Sequence, residues 1–179
     1  QGSPELRLVE VKKAMFLAIS GEGKPQGEEF TRKLTALYGL QSTLQMYEAL
    51  RGRTLAVGPV EYFWRGEGEE LHWSLMMRLG QPVSDDEIDR ARADLVRKGR
   101  GTGLDQVEVR METEGLCVEA EHRGSWGPVS DTLDACLRFA EARGFKPRGG
   151  HREVYVTKHS TTAPEDRITR VRVPLEQPS

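Results

Sequence analysis

The chain has 179 residues, 37% of them hydrophobic and 30% charged, enough for a useful core in one domain or two small halves, beneath a large polar surface. Twenty-six Lys plus Arg against 28 Asp plus Glu leave a net charge of -2, without the basic excess of a dedicated nucleic-acid binder. The longest unbroken apolar run, six residues at 14–19 (AMFLAI), is too short for a membrane span or the hydrophobic stretch of a signal peptide.

Residues 1–5 read as an N-terminal tail, with QGS at 1–3 like a cloning remnant, and 6–179 as a single domain. Residues 6–19 read as one bent strand or two short ones, and SGEGKPQG (20–27) as a loop. Glu28 and Glu29 then open a helix, where carboxylates meet the positive end of its dipole. Phe30, Leu34, Leu37, Tyr38, Gln41, Leu44 and Tyr47 follow helical spacing, giving it one apolar face. GPVEYFWR (58–65) and LHWSLMMRL (71–79) are aromatic-rich strands separated by GEGEE. Ser84 with Glu87 makes a capping box for a helix that runs to about Lys98.

GRGTG (99–103) is a crossover, and Val107 to about His122 reads as a long strand or a bulged pair. Ser130 and Asp131 start a third helix, closed by Arg143-Gly144. HREVYV (151–156) and ITRVRVPL (168–175) are the last strands. VEV recurs at 9–11 and 107–109, each time followed by an apolar strand, a helix and two strands. The expected fold is therefore α+β: two βαββ units, about 6–80 and 105–175, joined by a connecting helix at about 84–98. They would be related by a pseudo-two-fold axis, with two antiparallel sheets around a central ligand cleft and helices outside.

Several motifs fail on inspection. Gly21, Gly23 and Gly27 place the third glycine one position late for a dinucleotide fingerprint, and Glu22, Glu28 and Glu29 would repel a pyrophosphate. GSWG (124–127) is not a nucleophile elbow. His151 and Glu153 share a strand face, but without a third ligand no metal is expected. Cys117 and Cys136 read as two reduced core thiols, fitting a cytoplasmic protein.

Polar groups inside the strands are more informative. A period of two puts His151, Glu153 and Tyr155 on one face of HREVYV and the valines on the other. In VEYFWR, Glu61 and Phe63 share a face opposite Tyr62 and Trp64, while Trp73, Leu75 and Met77 share one in the next strand. The plain reading is glutamates on solvated faces with aromatics as core. The functional one is an aromatic cleft with embedded carboxylates, suited to flat apolar or cationic ligands and to acid–base work.

The segments SGEGKPQGEEFTRKLTALYGL, EYFW, LHWSLMMRLGQPVSDDEI, EGLCVEAEHRGSW and above all HREVYVTKHSTTAPEDRITRVRVPL resemble the GyrI-like small-molecule-binding domain family, in its stand-alone subgroup. The resemblance covers nearly the whole chain and implies two βαββ units about an aromatic-lined cleft, with an acidic residue at Glu153. It implies either an effector-binding domain for lipophilic, often cationic compounds or a hydrolase that opens cyclopropanoid genotoxins of the yatakemycin and duocarmycin type. Carried onto this sequence, Glu153 and Tyr155 are candidates for chemistry, and Glu61, Phe63, Trp64, Trp73, Met77, Trp126 and His151 for ligand binding. Trp126 stands where relatives usually carry Tyr, and EYFW replaces a Glu-Gly-Leu-Trp-Trp run.

No cofactor, nucleic acid or membrane partner is expected. A homodimer stays open, as does a structural protein whose cleft is filled by another chain.

Overall fold

A computed structural model describes residues 4–125, 129–158 and 160–177. Along the chain come β1 (Arg7–Val11), β2 (Ala14–Glu22), α1 (Gly27–Leu50), β3 (Val57–Arg65), β4 (His72–Leu79), α2 (Asp85–Arg97), β5 (Glu108–Glu112), β6 (Gly115–Arg123), α3 (Val129–Ala142), β7 (His151–Tyr155) and β8 (Ile168–Pro174). The fold is α+β, and the strand pairs within each of its two compact units are antiparallel. One unit takes residues up to Lys13, Pro59–Glu67, and everything from Thr113 onward. The other takes Ala14–Gly58 and Gly68–Glu112.

In the first unit β1 pairs with β6, β6 with β8, β8 with β7, and β7 with β3. Helix α3 covers one face of β6 and β8, burying Val129, Cys136 and Ala140 against Val118, Ala120, Val171 and Val173. At roughly 1.5–3 kcal/mol per large apolar side chain, this contact anchors the helix. In the second unit β2 lies between β4 and β5. A strand with neighbours on both sides and four consecutive buried residues, Phe16–Ile19, needs the unbroken apolar run seen in the sequence. Helix α1 buries Ala36, Leu37, Leu40, Leu44 and Tyr47.

The strand partners differ from those expected of two self-contained halves. β1 and β3, from the first half of the sequence, pair with β6 and β7 from the second, and β5 pairs back with β2. Alternation fixes which side of a strand is apolar but not its neighbour, so a repeat of elements does not require each copy to close its own sheet. β2 also runs through Glu22, beyond the expected loop boundary. Gly21 pairs there with Trp73, and a Cβ at Gly21 would lie 2.3 Å from the indole ring. The helix stripe is also shifted: Tyr38 is 43% exposed, while Ala36, Leu40 and Thr43 are buried.

Candidate functional site

β7 enters from Gly149-Gly150. Gly150 has φ +72°, and a Cβ there would meet the Trp64 carbonyl oxygen at 2.6 Å, so only glycine lets the turn approach β3 this closely. Register then does the sorting. Tyr62 lies opposite Glu153, and Trp64 opposite His151. Directly opposed residues of an antiparallel pair project to the same side, so Tyr62, Trp64, His151 and Glu153 share a face, with Tyr155 following on β7. Tyr62 stacks on Trp64 with ring centroids 5.0 Å apart at 14°, and Tyr155 tilts against Tyr62 at 5.4 Å.

Glu153 and His151 are largely enclosed, their side chains 14% and 21% exposed, with Glu153 Oε2 3.3 Å from His151 Nε2. Burial, then the charge of Glu153 and the neighbouring Tyr62, push the Tyr155 phenol well above its ordinary range. Tyr155 is therefore a protonated donor at any working pH. The Trp64 indole N–H is buried without an acceptor among the described residues. Such a group costs about 1–3 kcal/mol until something accepts from it. The face therefore combines a carboxylate acceptor, two donors and stacked rings.

The other predicted residues lie elsewhere. Glu61 and Phe63 share a face with Arg152 and Val154, on the opposite side of the sheet from Glu153. Glu61 is 2% exposed and lies 3.0 Å from Arg172 and 3.6 Å from Arg152. Phe63 lies beneath the guanidinium groups of Arg65 and Arg152. Glu61 and Glu153, both candidates for one aromatic cleft, are thus offset by one register position and face opposite ways. Trp73 and Met77 belong to the other unit and are 4% and 1% exposed. Trp73 packs edge-on against Phe30 of α1 at 5.4 Å, with the Lys33 ammonium 5.6 Å from its ring. Trp126 lies outside the described residues.

Sequence reasoning placed Tyr62 on the Trp64 face but did not select it. It also missed the ion network behind the sheet. Arg172 Nη2 lies 2.9 Å from Glu114 Oε2, and Arg152 Nε lies 3.1 Å from Glu114 Oε1. Arg172 Nη1 lies 3.4 Å from Glu119 Oε2. Burial alone would lower the Arg172 pKa, but Glu114, Glu61 and Glu119 outweigh it and hold it raised. The signal was the alternation itself: E-x-E in β6 and R-x-R in β8 put charges on every second position of a strand.

Among the described residues no three His, Cys, Asp or Glu side chains converge as metal ligands. No helix among them is long and apolar enough to cross a membrane. A groove of about 870 Å³ lies in the second unit, lined by α1 residues including Tyr38 and Met46 and by Leu95, Lys98, Arg100 and Thr102; it contains none of the predicted site residues.

No family model matches the chain, and no curated protein matches it. Solved structures do. An uncharacterized conserved protein from Listeria innocua is 24% identical, with TM-score 0.88 over 96% of this chain and 92% of that one. A hydrolase from Listeria innocua is also 24% identical, with TM-score 0.82 over the same shares. The EcmrR C-terminal domain is 9% identical, with TM-score 0.67 over 97% of this chain and 98% of that one. At these identities the likeness establishes the fold that this chain shares with them.

Proposed function

We propose that the protein binds flat hydrophobic or cationic small molecules against the Tyr62, Trp64, His151, Glu153 and Tyr155 face. We further propose that it hydrolyses the cyclopropane of cyclopropanoid genotoxins of the yatakemycin and duocarmycin type by water addition, a detoxifying role in the cytoplasm. The observation that carries the reading is an enclosed carboxylate beside a phenol held protonated, within stacked aromatic rings. The resemblance to the GyrI-like family supports it, and the Listeria innocua hydrolase of the same fold accords with it.

In such substrates the cyclopropane is conjugated to a dienone. Glu153 takes a proton from water as its oxygen attacks the strained carbon. One ring C–C bond breaks, and its electron pair moves through the dienone to the oxygen, which becomes a phenolate. Tyr155 and the Trp64 indole, the donors of this face, would stabilise that oxygen. The proton held by Glu153 returns to solvent, and the phenolate takes one up, so a single water has been added. No cofactor enters the step.

General-base help of this kind is worth about 10²–10⁴-fold, and Glu153→Gln should remove it while keeping the shape. The test follows loss of the dienone absorbance when the purified protein meets a duocarmycin-class cyclopropanoid, with the variant alongside. Loss in the wild type and retention in the variant support hydrolysis. Equal loss in both sinks Glu153 as the base. A persistent chromophore with quenched tryptophan fluorescence favours the second reading, a non-catalytic binding or sequestering module, for which the Tyr62–Trp64 stack beside a carboxylate is already sufficient.

A further inference from the structure

We propose that the groove between α1 and the end of α2 binds a long-chain monocarboxylate, with the carboxylate at Lys98 and Arg100 and the alkyl chain along α1. The site is separate from the Glu153 face and does not depend on the function proposed there. A helix with one exposed side ordinarily turns charge toward water. In α1, residues 34–47 (LTALYGLQSTLQMY) carry no charge at all, in a chain that is 30% charged. Tyr38 and Met46 nevertheless face outward, 43% and 42% exposed, with Thr35 and Ser42 exposed between and before them. The hydroxyls of Thr31, Thr35 and Thr43 donate to the Gly27, Thr31 and Gly39 carbonyls of their own helix at 3.1, 2.9 and 2.8 Å. Their donors are spent, so the methyl groups are what these side chains offer a ligand.

The facing wall is Leu95, Lys98, Arg100 and Thr102. A Cβ at Gly103 would lie 3.4 Å from the Ala36 Cβ and 3.6 Å from the Arg32 carbonyl oxygen, and one at Gly39 would lie 3.8 Å from Leu95. The segment bearing the two cations therefore docks beside the Thr31–Thr35 end, and Tyr38 to Met46 form the uncharged remainder. No carboxylate lines the groove, and among the described residues neither Lys98 nor Arg100 is ion-paired. Glu28 and Glu29, in the first turn of α1, pair with Arg32 and Lys33 at 3.7 Å, and Asp94 is held by Tyr47 and Arg97. The Asp94, Leu95 and Val96 carbonyls accept from the Lys98, Arg100 and Gly99 N–H groups, so the negative end of α2 is satisfied within its own turn. One end of the groove is cationic and the rest is an apolar stripe, which an amphiphilic anion complements at both ends. From Thr31 to Met46 the helix runs about 22 Å at 1.5 Å per residue, a span that suits an extended chain, and about 870 Å³ is a ligand-sized volume.

The probe is cis-parinaric acid, whose polyene fluoresces in apolar surroundings, titrated into the full chain below its micellar concentration. The expected result is a saturable rise that palmitate reverses and methyl palmitate does not, and that weakens with added salt. Lys98→Gln combined with Arg100→Gln should weaken binding by about tenfold, the loss of two exposed ion pairs. Gly39→Leu places a side chain in the groove and should abolish binding. Leucine is a better helix former than glycine, so this variant is expected to fold, which far-UV circular dichroism checks. Absence of a saturable rise in the wild type, undiminished binding in Gly39→Leu, or equal displacement by the acid and its methyl ester overturns the inference. So does a groove that serves a larger partner without taking up the free acid: a dimer that Gly39→Leu separates, or sedimentation with anionic phospholipid vesicles that needs Lys98 and Arg100.

Discussion

Cys117 and Cys136 are fully enclosed, and burial, the leading cause for both, pushes each thiol from its ordinary 9.0 up to about 12. The unfolded chain therefore releases these protons before the folded one does, and stability must fall as pH rises through the interval between about 9 and about 12. Tyr155, raised by the same cause from its ordinary 10.0, adds to the fall from about pH 10 upward. Urea unfolding midpoints should decline across that window, and Cys136→Ala should flatten part of the decline despite its own packing loss. A midpoint independent of pH there would contradict the burial of these groups. Arg172 gives the opposite test. It is the common cation for Glu61, Glu114 and Glu119, so Arg172→Met leaves buried carboxylates short of a partner. A loss of about 3–5 kcal/mol is expected from denaturant titration; a loss under about 1 kcal/mol, typical of exposed pairs, would mean the network is not closed to water.

Most elements were legible because their signals are local. Ser84 before DDE announces a helix, and its hydroxyl does accept from the Glu87 N–H at 3.3 Å. Ser84→Ala should cost about 1 kcal/mol, read as a lowered unfolding midpoint. Glu87, expected to reach back to the cap, instead pairs with Arg51 at the end of α1, a partner no spacing rule could supply. Strand parity was equally local: it grouped His151, Glu153 and Tyr155, and separated Glu61 from Trp64. It could not say that β3 and β7 are neighbours, which makes Tyr62 and Trp64 the other wall of the Glu153 face and sends Glu61 behind it. Partner choice depends on long-range pairing, and no single strand encodes it. The same gap explains Tyr38: its place in the α1 stripe looked apolar, but α2 leaves it at the rim of a groove.

At the scale of the molecule, the α+β fold shared with the Listeria innocua structures carries the proposed site on one face of one unit. The fold positions the chemistry by giving β7 two different sides: arginine locked into buried carboxylates on one, and a carboxylate, imidazole and phenol among stacked rings on the other. That division lets a charged face sit on a strand that is otherwise fixed by ion pairs. The most direct test is a single-turnover reaction of excess protein with a duocarmycin-class cyclopropanoid in ¹⁸O-labelled water, read by mass spectrometry, for the wild type and Glu153→Gln. The account predicts a ring-opened product carrying one ¹⁸O from the wild type, and a rate lower by about 10²–10⁴-fold in the variant. Equal rates in the two proteins, or an opened product attached to the protein instead of to water, would contradict it.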